Sequence, residues 1–168
     1  MAEGEDDPSP RAVARRAGVS HAAPYKHFAD RHALKAGVAE RGFAALGAAM
    51  REAAETAGDR PLKAIGRAYV AFALDRPARY RLMFGPEFAQ DRTTPELDRA
   101  ARAAFEALVA TQRTDAAPTG DRTTAVAYWS LVHGLATLLI DGRVAVPDDT
   151  DPLDFADQVL GSLRSATG

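Results

Sequence analysis

Ser130, His133 and Asp141 bring a hydroxyl, an imidazole and a carboxylate into one short span, the residue types of a nucleophilic triad. No Gly-x-Ser-x-Gly turn accompanies them, and sets of these types arise often by chance. His21, His27 and His32 could in principle ligate a metal, but their spacing matches no common site. The chain has no cysteine. That excludes disulfides, thiolate metal sites and cysteine nucleophiles, and it suits a reducing compartment. The expectation is therefore of no catalysis, no metal and no cofactor.

Charge is more informative. Between Pro8 and Phe43 lie Arg11, Arg15, Arg16, Lys26, Arg31, Lys35 and Arg41, opposed only by Asp30 and Glu40. This stretch carries +5, leaving −7 for the rest of a chain whose net charge is −2. A basic head on an acidic body is the asymmetry of a nucleic-acid binder. A second set, aromatic and apolar, is spread along the remainder. Trp129 and His133 are four residues apart and share one helix face.

These residues must be positioned by helices. Alanine is abundant, β-branched residues are sparse, and no alternating strand pattern occurs, so the whole chain is expected to be α. Ser9 and Pro10 open a helix through Ala17, ended by Gly18. Ser20 caps a short helix from His21 to His27. Asp30 caps a third, running from Arg31 towards Ala57 and stopping at Gly58. Asp59 and Pro61 open a fourth, ending near Leu74. Arg76 and Pro77 begin a short segment, and Gly85 to Thr94 is expected to be loop. Thr94-Pro95-Glu96 starts a helix to about Arg113. Asp121 to Arg143 is a long helix, apolar on most faces, and Asp151 and Pro152 open the last, towards Ala166. No apolar run is expected to reach bilayer length. The acidic start, Met1 to Asp7, does not fit a secretory signal. A cytoplasmic protein without a membrane partner follows as the expectation.

The span from Ser9 to Leu34 carries the function. Ala14 is small where two short helices would meet, and Gly18 supplies a left-handed turn. Val13, Ala17 and Val19 supply an inner face, and Phe28 anchors the exit. The second helix could lie in a DNA major groove. The run ARRAGVSHAAPYKHFADRHAL resembles the DNA-binding signature of tetracycline-repressor (TetR) family regulators, through Ala14, Ala17, Gly18, Val19, Ser20, Tyr25, Phe28 and the cap Asp30. The resemblance implies a homodimer on near-palindromic double-stranded DNA. By matched position it assigns DNA contacts to Ser9, Ser20, His21, Ala22, Ala23, Tyr25, Lys26, His27 and Arg31. It also implies a further helix ahead of Ser9, for which MAEGEDDP is too short, so the first helix is expected to be missing and the natural start to lie upstream; the alternative is a DNA-binding-deficient ligand-binding or protein-interaction dimer of the same fold.

From Asp59 onward the sequence resembles the sensor domain of one branch of that family. Tyr128-Trp129-Ser130-Leu131-Val132-His133-Gly134 looks like its Trp…His-Gly motif, and Ala78 to Phe88 is similar as well. A helix-turn-helix domain over residues 1–45 and a sensing and dimerisation domain over 46–168 are expected. Tyr69, Phe72, Tyr80, Met83, Phe84, Phe88, Phe105, Trp129 and His133 are the candidate contacts for an unidentified small-molecule effector. The stripe Trp129, Val132, Ala136 and Leu139, with Phe155, Val159 and Leu163, is the expected dimer surface on the last two helices.

Overall fold

The computed structural model describes residues 18, 20, 28–88, 93–111 and 121–166, with side chains given as far as Ser162. These form six α-helices: α1 (Arg31–Thr56), α2 (Pro61–Asp75), α3 (Pro77–Phe84), α4 (Pro95–Ala110), α5 (Arg122–Ile140) and α6 (Pro152–Ala166). A short 3-10 turn, Pro86–Phe88, follows α3 inside the segment expected to be loop. The chain is all-α, as its composition requires.

The helix starts follow from local chemistry. The Asp30 carboxylate accepts from the Ala33 N–H at 2.7 Å. Thr94, Asp121 and Asp151 likewise accept from the first turns of α4, α5 and α6. At α2 the expectation fails in detail, because the N-cap is Arg60, which makes no side-chain cap bond, and proline alone sets the start. The expected end of α5 was also too late. The helix stops at Ile140 because Gly142 adopts φ +61°, a left-handed turn.

The 26-residue α1 is the spine, roughly 39 Å long at 1.5 Å per residue. Ala36, Ala39, Phe43, Leu46 and Met50 recur on one face and are buried. α1 packs against α2, α3 and α4, and α2 in turn packs against α5 and α6. The expected domain boundary at residue 45 falls inside this continuous helix.

The expected dimer stripe turns the other way. Val132 and Ala136 are buried, and Trp129 and Leu139 pack against the core. This stripe is the chain's own core face of α5. The outward face carries Val126, Ala127, Ser130, Gly134 and Leu138, of which Val126 and Leu138 are exposed large apolar residues. The expectation about apolar runs also needs correction. α5 is long and apolar enough to cross a membrane by length and composition, since its charge is confined to its first residue. The core helix of a soluble protein passes the same test, and Val132, Leu135 and Ala136 are core residues here.

Candidate functional site

A cavity of about 170 Å³ lies inside the bundle. α1 contributes Phe43, Leu46 and Met50, and α2 contributes Ile65 and Tyr69. Phe84 closes it from α3, Ala101, Ala104, Phe105 and Leu108 from α4, and Trp129 and Val132 from α5. No charged side chain is among these residues, and the wall is almost wholly apolar.

The polar groups near the wall bond to one another. Trp129 Nε1 donates to the Tyr69 hydroxyl at 3.2 Å. The hydroxyls of Tyr69 and Tyr80 lie 2.9 and 2.7 Å from His133 Nδ1. A neutral imidazole accepts only one hydrogen bond at that nitrogen, so the two hydroxyls compete for it. The groups form a relay in which Trp129 bonds to Tyr69 and both hydroxyls converge on His133. Burial pushes both tyrosine hydroxyls above their ordinary range. Burial also lowers His133, so the ring is held neutral. Tilted and edge-to-face rings complete the assembly. Phe84 lies 4.7 Å from His133, 4.9 Å from Tyr80 and 5.1 Å from Phe43 between centroids. Phe105 lies 5.7 Å from Trp129.

Of the nine candidate effector contacts, the cavity brings together Tyr69, Phe84, Phe105 and Trp129. Tyr80 and His133 stand behind them in the relay. Phe72 is buried in the core outside the cavity lining. Met83 is elsewhere because its side chain fills the space above Gly42 of α1. Phe88 is elsewhere because the chain leaves α3 and turns to α1, where its ring meets His32 at 5.3 Å. Sequence reasoning missed the α1 contribution. The spacing of Phe43, Leu46 and Met50, one face of a long helix, was the available signal.

The triad types do not assemble. Ser130 donates to the Val126 carbonyl, His133 Nδ1 is taken by the tyrosines, and Asp141 pairs with Arg81 at 2.8 Å. Among the described residues no group of histidine, cysteine or acid residues is placed to hold a metal.

Of the candidate DNA contacts, Ser9, His21, Ala22, Ala23, Tyr25, Lys26 and His27 lie outside the described residues. Ser20 and Arg31 are exposed, and Arg31 is the first residue of α1. Gly18 has φ +66°, the left-handed conformation expected of the turn. The Phe28 ring lies against Gly37, where a Cβ would come within 2.8 Å of it. That contact seats the exit of the Ser9 to Leu34 segment on α1.

Residues 62–163 match the family model described as the tetracyclin repressor-like C-terminal domain. The chain thus belongs to the tetracycline-repressor-like family of transcriptional regulators. The match begins at α2 and does not include the Ser9 to Leu34 segment. Similar solved structures include a protein of unknown function from Rhodococcus sp. RHA1, 31% identical, with 98% of this chain and 84% of that one covered at a TM-score of 0.71. Another is SCO4313, named as a regulatory protein, 25% identical over 94% and 85% of the two chains at a TM-score of 0.69. No curated protein matches the chain. Membership of a regulator family is what speaks against the enzymatic alternative.

Proposed function

We propose that this protein is a ligand-responsive, DNA-binding transcriptional repressor of the cytoplasm, released from a near-palindromic operator when a small molecule occupies the interior cavity. The observation that carries it is the position of the cavity, directly against α1, the helix that continues from the basic Ser9 to Leu34 segment. Residues 1–45 read DNA through the nine assigned contacts, and residues 46–168 sense and dimerise, with α1 shared between them.

Two subunits associate through α5 and α6. The outward face of α5 supports this, because Gly134 and Gly161 sit in helices with nothing within 4 Å of where a Cβ would be. Glycine inside a helix costs about 1 kcal/mol relative to alanine, and nothing among the described residues requires it at either place. A second copy packed closely on this face accounts for both. The two recognition helices would then meet successive major grooves.

Phe84 ties occupancy to the reading head. It lines the cavity, packs on Phe43 of α1, and leads into the turn where Glu87 pairs with Lys35 at 2.8 Å. A ligand that displaces Phe84 moves that turn and with it the first turns of α1. Because only matched spacing binds the operator, a small change of angle suffices.

The test is selection of this chain on a random duplex pool at two salt concentrations. Lys26 and Arg31 give four phosphate-facing cations per dimer, so affinity for the selected site should fall roughly 150-fold between about 50 and 200 mM salt. Failure to select any site refutes the DNA-reading part. A selected site with salt-independent affinity refutes the assigned phosphate contacts.

A further inference from the structure

The geometry points to a neutral, single-ring aromatic molecule, such as toluene, as the chemical class of ligand taken by the interior cavity. This rests on reading the cavity as the effector site. Three observations fix the class. The first is volume: about 170 Å³ is close to the ~150 Å³ apolar cavity that admits benzene. The second is charge. No Arg, Lys, Asp or Glu lines the cavity, so a carboxylate or ammonium would enter without a partner. The third is that the nearby polar atoms are already used. Trp129 Nε1 donates to the Tyr69 hydroxyl, and the Tyr69 and Tyr80 hydroxyls lie on His133 Nδ1, outside the cavity lining. What the wall offers is aliphatic surface and the rings of Phe43, Phe84, Phe105 and Trp129. Such rings favour an aromatic guest in tilted or edge-to-face contact.

Trp129 is the chain's single tryptophan, so its fluorescence reports occupancy directly. The experiment titrates the full chain with toluene, benzoate and naphthalene, following Trp129 emission and the melting temperature. Toluene should give a saturable emission change. At ten times its Kd it should raise Tm by roughly 3–6 °C. Benzoate and naphthalene should give neither. Ala101→Leu, which fills the cavity from α4, should abolish the toluene response with the fold intact by far-UV circular dichroism. Ala104→Val replaces it if the leucine unfolds the chain. The class is overturned if toluene leaves Trp129 unchanged, if benzoate or naphthalene binds as well as toluene, or if toluene still binds the filled variant. Operator affinity separates this from the reading beneath it. Toluene binding without any change in DNA affinity upholds the ligand class and refutes the sensor role. Release of DNA by benzoate or naphthalene, but not by toluene, upholds the sensor role and refutes the class.

Discussion

Replacing Gly134 by leucine sets two readings of α5 against each other with opposite signs. If the outward face of α5 met only water, the leucine would enter open space, since nothing lies within 4 Å of the added Cβ. Helix propensity would then stabilise the subunit by about 0.8 kcal/mol, worth roughly 2–3 °C in Tm for a chain of this size. If a second copy packs there, two-fold symmetry places the substituted position twice in one interface. Overpacking costs about 1–3 kcal/mol per inserted side chain, so the dimer loses about 2–6 kcal/mol. That weakens its dissociation constant roughly 30-fold to 10⁴-fold. Val126 and Leu138 flank the site and are exposed in the single chain, so the apolar area needed for association is already on this face. Sedimentation equilibrium across a dilution series measures the constant, and circular dichroism confirms the helix. The expected result is a monomer of undiminished helicity that has lost operator binding. A dimer of unchanged affinity with a raised Tm would show that α5 is not the interface.

Three further outcomes follow from particular contacts. Gly66→Ala should destabilise by about 1–3 kcal/mol despite the gain in helix propensity, because the added methyl would fall on the Tyr128 hydroxyl, which donates to the Leu62 carbonyl at 2.8 Å. Adding Tyr128→Phe should recover part of that loss; chemical denaturation of all four chains measures the coupling, and its absence would remove the steric explanation. Burial lowers His133, so the unfolded chain takes up a proton more readily than the folded one, and stability should decline as pH falls below about 6.5. His133→Gln should flatten that decline in urea titrations at several pH values, and an unaltered slope would place its origin elsewhere. Glu87→Gln should change stability by less than about 1 kcal/mol, because the pair it breaks with Lys35 is partly exposed. It should nonetheless reduce the effect of a cavity ligand on operator affinity, which a paired DNA-binding measurement with and without ligand would detect.

Helices were legible in the sequence where one local device decides them. Asp30, Thr94, Asp121 and Asp151 each place an oxygen against the first turn that follows, an interaction a few residues long. Which face of a helix turns inward is set by neighbours far along the chain, and there the reading faltered. α5 is apolar on several faces, so periodicity alone did not separate the core stripe of Val132 and Ala136 from the outward Val126 and Leu138. The large aromatics drew attention, while the alanines and glycines that let helices approach did not. Ala101 and Ala104 line the cavity and Gly42 makes room for Met83, yet none of these has a side chain that announces a role.

The same difference explains why four of the nine candidate contacts line the cavity and five do not. Trp129, Tyr69, Phe105 and Phe84 stand out by type, and the fold brings them to one wall. His133 also stands out, but its ring nitrogen serves the tyrosines rather than the cavity. A histidine four residues from a tryptophan suggested a polar handle for a ligand. Two phenols from other helices instead converge on that nitrogen, away from the cavity lining. The chemistry of the pocket is thus decided by a tertiary arrangement of α2, α3 and α5 that no spacing within α5 could reveal. Tyr69→Phe would leave the Trp129 N–H on the wall without its acceptor, and a cavity so altered should begin to accept phenol, which Trp129 emission would report.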